Sequence, residues 1–240
     1  AIEGVEDPRL ISAVLSNTGR VLNRLGRYLE AANAHRHAVT LRMMLPGAGA
    51  LVAESHALLA NALSKAGRYR EAEDAFSQAM HLFRHLPDHA ASAALLYDNY
   101  GVFKLDLGQL HAAEAAFDGA GRILATLKRP SVTQVAGLTE HYGGLARERG
   151  DSQEAKTHFL KSIALYQAIN PLHPRITDLH GALADSYLRL GDVDAADALI
   201  QRLLDALENT PDVLLTRAQL LSTRSAIRHA QKKYHEAIED

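Results

Sequence analysis

The sequence predicts an all-α fold built as a stacked array of antiparallel helix pairs, and three observations predict it. First, a short pattern returns six times at intervals of 41 or 42 residues: a small residue, seven positions to a turn residue, five more to an alanine. The turn residues are Gly26, Gly67, Gly108, Gly150, Gly191 and, as a departure, Lys232. Seven residues before them stand Gly19, Ala60, Gly101, Gly143, Ala184 and Ser225; five after them stand Ala31, Ala72, Ala113, Ala155, Ala196 and Ala237. Second, apolar residues on both sides of a turn recur at spacings of three and four, the period of a helix face, without strand-like alternation. Third, proline stands in every stretch between repeats, where it disfavours helix in the residue before it. A unit of this size cannot bury its apolar face alone, so the repeats bury it by stacking.

In chain order the hairpins run 8–46, 50–87, 90–129, 131–171, 174–210 and 212–240, forming a single repeat domain over 1–240. The stretches between them are Leu45 to Ala50, Leu86 to Asp88, Arg129 to Pro130, Asn170 to Pro174 and Thr210 to Asp212. The fifth hairpin reads most plainly. Ile176, Leu179, Leu183, Tyr187 and Leu190 line one helix face before Gly191, and Val193, Ala196, Leu199, Ile200, Leu203 and Leu204 do so after it. Glycine between the halves suits the left-handed residue that ends a helix, where a side chain costs ~1–2 kcal/mol. The sixth hairpin is incomplete: it lacks the turn glycine and the chain stops soon after Ala237. Its apolar face around Leu220, Leu221 and Ile227 is therefore expected to be uncovered, a route to homodimers through the C-terminal end.

The small residues before the turn and the alanines after it allow the helices of a pair to approach closely. A larger group there overpacks the contact at about 1–3 kcal/mol, so Ala113→Leu should splay the third pair. Nine residues past each turn stand His35, Phe76, Phe117, Phe159 and Ile200, expected to fill the space between neighbouring repeats. The histidine suggests that the first repeat is partly exposed.

Composition excludes several classes. No run of eighteen uncharged apolar residues exists, which argues against a membrane span. A net charge of −2 and a pI near 6.7 give no global attraction to nucleic acid or anionic lipid. With no cysteine there are no disulfides, thiolate metal sites or cysteine nucleophiles, which fits the cytoplasm and, almost as well, the periplasm. The chain opens on neither Met nor a signal-like segment, and it reads as a piece of a longer protein.

Leu25-Gly26-Arg27-Tyr28-Leu29-Glu30-Ala31 and Gly67-Arg68-Tyr69-Arg70-Glu71-Ala72 resemble the turn of tetratricopeptide repeats. The plain repeat of that family has 34 residues. The longer spacing here, with His173-Pro174-Arg175-Ile176 and Asp88-His89-Ala90 between repeats, is similar to the kinesin-light-chain type. The resemblance implies a right-handed superhelix whose first helices line a concave groove for a peptide or extended protein segment. The family's groove positions, carried over, are Ser16, Arg20, Asn23 and Arg24, then Ala57, Asn61, Ser64 and Lys65. The third repeat adds Asp98, Val102, Leu105 and Asp106, the fourth Glu140, Gly144, Arg147 and Glu148, and the fifth Gly181, Asp185, Leu188 and Arg189. A basic, amide-rich N-terminal end and an acidic middle are expected, with Asn17, Asn61 and Asn99 bonding a ligand's backbone. The alternative is a solvated helix face that simply carries charges. The lysine–asparagine clamp of chaperone-binding members is not matched, because Ser16 and Arg20 stand at its first two positions.

No catalytic constellation is expected, nor a cofactor or metal. His81 and His85 share a helix face at a zinc-compatible spacing, but Pro87 keeps His89 from joining them. His141, between Glu140 and Tyr142, is the most groove-like histidine, and packing suits it better than chemistry. The Gly143-Gly144 pair lacks the spaced glycines and lysine of a phosphate loop, and no Gly-x-Ser-x-Gly elbow occurs. Asp98 and Asp106, like Glu140 and Glu148, lie two helical turns apart, too far to share a proton. No helix-turn-helix reader of nucleic acid is evident. The sequence thus points to an interaction module, a scaffold or regulatory part of a larger signalling protein, with a peptide-gated sensor and a self-association module as alternatives.

Overall fold

The computed structural model describes residues 7–207 and 214–239, and within them the chain is helical throughout, with no strand. The helices are α1 (Pro8–Arg24), α2 (Tyr28–Met43), α3 (Gly49–Lys65), α4 (Tyr69–Phe83), α5 (Ala90–Asp106), α6 (Leu110–Thr126), α7 (Val132–Glu148), α8 (Ser152–Ile169), α9 (Arg175–Arg189), α10 (Val193–Leu207), α11 (Leu214–Ala230) and α12 (Tyr234–Glu239). A 3₁₀ turn, Pro87–His89, precedes α5. The fold is all-α, a solenoid of helix hairpins. The chain divides into two compact units, Ala1–Arg129 with three hairpins and Pro130–Asp240 with the other three. The stretch Thr210 to Asp212, with the boundary between hairpins 174–210 and 212–240, lies outside the described residues. No described helix is long and apolar enough to cross a membrane.

One device closes all six hairpins. Gly26, Gly67, Gly108, Gly150 and Gly191 have φ between 69° and 83°, the left-handed region. There the next residue's amide reaches back to the carbonyl five positions earlier. Arg27 donates to Leu22, Arg68 to Leu63, Gln109 to Lys104, Asp151 to Ala146, Asp192 to Tyr187 and Lys233 to Arg228, each at 2.9 Å. This is the helix-ending motif in which a glycine frees the last carbonyls to be bonded. Lys232 adopts it too, at φ 62°, despite its side chain.

In the first, third and fourth pairs the small residue before the turn is a seat for the large residue nine past it. Gly101 lies under the ring of Phe117, a Cβ on Gly143 would fall 2.6 Å from Phe159, and one on Gly19 would fall 2.5 Å from His35. These large groups therefore pack first within their own pair. Phe76 in addition reaches the next repeat, its ring 5.3 Å from those of Tyr100 and Phe103.

Two expectations are corrected here. His35 is not itself exposed: it is fully buried over Gly19, and the exposed residues of the first repeat are others, Val14 and Val21 among them. Nor is the sixth hairpin's apolar face bare. Leu220 and Ile227 are buried and cluster with Ile200 and Leu204 of α10, with Leu221 half-buried beside them, so α10 covers the face of α11.

Candidate functional site

In the first unit the inner faces of α1, α3 and α5 bound a cleft of about 230 Å³. Arg20 comes from α1, Glu54, Ala57, Leu58 and Asn61 from α3, and Ser92, Leu95 and Asn99 from α5, with Phe83 and Leu96 behind them. Helical spacing does this: in α3 the residues six, nine, ten and thirteen before the turn fall on one stripe, in α5 those nine, thirteen and sixteen before it, and stacked repeats set the two side by side. Arg20, Ala57, Asn61 and Asn99 are brought together as the sequence suggested. Glu54, Leu58, Ser92 and Leu95 were missed. They continue the same stripe toward the helix N-termini, so the register alone could have found them.

The other N-terminal positions scatter. Asn17 lies on the outer side of α1, in a shallow depression with Val14, Val21 and Leu25, away from the cleft. Asn23 is half-buried, and its side-chain oxygen has no hydrogen-bond partner among the described residues. Arg24 and Lys65 are exposed, the Lys65 ammonium 5.9 Å over the ring of Tyr28. Asp98 was expected to face a ligand; it is buried instead, with Asp106 exposed at the end of α5. Ser16 is likewise buried.

Polar groups stand behind the cleft where later repeats carry aromatic ones. Arg42 is buried and donates to Ser55 Oγ at 2.7 Å and to the Leu51 carbonyl at 3.1 Å, and among the described residues no carboxylate bonds it. Neither ring nitrogen of His35 has a hydrogen-bond partner among the described residues. Burial pushes the imidazole down to about 4, helped by the charges of Arg20 and Arg42. The cleft is thus cationic at its α1 edge, tempered by Glu54, and lined by amides and leucine further in. Glu73 adds a link the sequence did not announce: it accepts from Tyr100 Oη at 2.5 Å and Lys104 Nζ at 2.6 Å, tying α4 to α5.

In the second unit the predicted charges are held by one another or by neighbours. Arg175, at the start of α9, grips Glu140 of α7 through both oxygens and also bonds Asp178 at 3.3 Å. Arg147 pairs with Glu148 at 3.4 Å, and Arg189 with Asp185 at 2.8 Å. A separate groove of about 520 Å³ runs between α9 and α11 with a hydroxyl-rich lining that includes Thr177, Ser222 and Thr223. His81 and His85 lie ring to ring at 5.5 Å, and the described residues contain no group of three metal-ligating side chains.

Fold and register together define a helical-repeat protein of stacked hairpins. The tetratricopeptide repeat profile matches residues 10–85 and 134–209, well over half of the chain. The chain belongs to the tetratricopeptide repeat family. Among solved structures it is similar to BtubC (BKLC) from P. vanneervenii, with a TM-score of 0.68 and 17% identity, over 97% of this chain and 87% of that one. It is also similar to the kinesin-light-chain TPR-like repeats of Podosopora anserina, with a TM-score of 0.62 and 20% identity, over 87% of this chain and all of the other. A Rap protein complexed with Competence and Sporulation Factor aligns with a TM-score of 0.74 and 14% identity, over 99% of this chain and 75% of that one. No curated protein sequence matches significantly.

Proposed function

We propose that this chain is a protein-interaction module whose first unit binds an extended peptide segment in the cleft between α1, α3 and α5. The observation that carries the reading is the joint placement of Arg20, Asn61 and Asn99 around one cleft beside Leu58 and Leu95. Two amides on successive helices bond a peptide backbone without reading its sequence, the leucines take an apolar side chain, and Arg20 takes a carboxylate. Arg24 and Lys65 extend the positive edge. Asp106, exposed at the end of α5, would meet a basic residue further along the ligand. The likeness to a Rap protein complexed with Competence and Sporulation Factor supports a peptide-gated sensor as the second reading.

The test is selection of a displayed library of random linear peptides against the wild-type chain and a variant carrying R20E, R24E and K65E. Wild type should enrich acidic-apolar segments and the variant should lose them. Equal enrichment by both would sink the N-terminal cleft as the binding site. Small-angle scattering with a selected peptide then separates the readings, since a sensor closes on binding and a rigid scaffold does not.

A further inference from the structure

Sixteen residues past the turn, the second helix of each of the first four hairpins carries a large buried residue: Arg42, Phe83, Leu124 and Tyr166. Phe83 lies behind the peptide cleft with Leu96, which stands twelve before the next turn. One repeat earlier the same two positions hold Arg42 and Ser55, and these bond each other at 2.7 Å. The register thus sets Arg42 behind the groove between α1 and α3, as Phe83 lies behind that between α3 and α5. Arg42 Nη1 is taken by Ser55 and the Leu51 carbonyl, and Nε lies 3.5 Å from Ser12 Oγ. Nη2 has no hydrogen-bond partner among the described residues and keeps access to solvent. Ser16, at the register of the cleft residue Ala57, is 5% exposed, and its hydroxyl has no partner among the described residues either. A guanidinium taken out of water is costly unless an opposite charge meets it. Glu54, on the cleft, favours the charge of Arg42, and Arg20, also on the cleft, opposes it. His35 adds no charge at neutral pH, because burial holds it neutral. Two guanidinium groups therefore face one carboxylate, and one positive charge is left over.

We propose that this end of the cleft is a carboxylate subsite, where an acidic side chain of the bound peptide meets Arg20 and Arg42 Nη2 and accepts from Ser16 Oγ. The inference rests on the peptide reading for its ligand and adds what fixes the ligand's register. The acidic residue sits between α1 and α3, over the polar floor, and the apolar residue sits one repeat further, over Phe83. A single surplus charge suits the one negative charge of a carboxylate better than the two of a phosphoryl group. The planar fork of arginine pairs a carboxylate through parallel bonds, and a bond to a charged group away from water is worth more than one in it. Arg24 and Lys65 are exposed, so salt screens their pull and they attract acidic segments without selecting the seat. Arg42, held in place by Ser55 and the Leu51 carbonyl, makes the selection.

Acetate, a lone carboxylate, tests the subsite without a peptide. Titrated into the isotope-labelled chain at constant ionic strength, it should shift the Arg42 Nε–H resonance saturably, that resonance being identified by its loss in R42M. E54Q removes the competing carboxylate and should tighten acetate ~3-fold or more. R20M should weaken it ~10-fold or more. Sulfate should bind no more tightly than acetate. R42M should keep the wild-type circular dichroism spectrum, because later hairpins carry Phe83, Leu124 and Tyr166 at this position. In the peptides selected above, changing the acidic residue to its amide should raise Kd ~10-fold or more for wild type and less than ~3-fold for R42M. No saturable shift, an acetate affinity that E54Q leaves unchanged, or tighter binding of sulfate overturns the subsite. Peptides whose carboxylate matters as much to R42M as to wild type overturn it too, while the peptide reading survives. An acetate response with no enriched peptide supports the subsite and ends the peptide reading instead.

Discussion

Replacing His35 by phenylalanine should stabilise the protein, and more so in acid. His35 occupies the seat that Phe76, Phe117 and Phe159 fill in the next three repeats, and Gly19 leaves the same hollow beneath it as Gly101 and Gly143 leave beneath their rings. Its two nitrogens are buried without partners. At the low end of about 1 kcal/mol for each unsatisfied group, H35F gains about 2 kcal/mol at neutral pH. The acid term adds to that. The folded imidazole titrates near 4 against 6.5 for a free one, so as pH falls the unfolded chain takes up its proton first. The histidine thus carries no pH-dependent cost above about pH 7, and it destabilises by about 2 kcal/mol at about pH 5. Urea unfolding at about pH 7.5 and pH 5, with hydrogen exchange of the α2 amides, measures both terms. Burial lowers His56 and His180 as well, so some acid sensitivity will remain in the variant and the difference from wild type is what counts. H35F less stable than wild type at pH 7.5, or a difference that does not grow at pH 5, would refute the reasoning.

Other perturbations separate steric from conformational roles. Gly101→Ala drives a methyl into the Phe117 ring, and Ala113→Leu overpacks a fully buried site; each should cost about 1–3 kcal/mol in thermal or urea unfolding. Gly26→Ala meets nothing within 4 Å, so its cost should be only the ~1–2 kcal/mol of a left-handed alanine. Lys232→Gly should protect α11 amides from exchange by about 1 kcal/mol, because the lysine holds φ 62° where every other hairpin has glycine. Glu73→Ala strands the largely buried Lys104 and should cost about 1–2 kcal/mol, more than a surface pair, with a double-mutant cycle against K104M recovering part of it.

The array was legible in the sequence because its determinants are local and repeat. A left-handed residue demands glycine, a close crossing demands glycine or alanine, and helical spacing fixes which residues share a face, so turns, pairs and the inner stripe through Arg20, Asn61 and Asn99 follow from position. What a side chain does there depends on neighbours from other repeats, and local spacing carries no such information. Glu140 read as an offered charge until Arg175, thirty-five residues on, closed over it. Asp98 read as facing a ligand and is buried. His35 broke the aromatic pattern, which suggested exposure, yet the pair closes on it as on a phenylalanine. The bare end was expected at Leu220 and Ile227, where the last hairpin is short. Both are buried, because α10 covers that face of α11. The sequence by itself determined the repeat, its turns and the stripe that faces the cleft. Only the tertiary structure decided which charges remain available and which apolar residues are covered, because burial is set by the helix that stacks next.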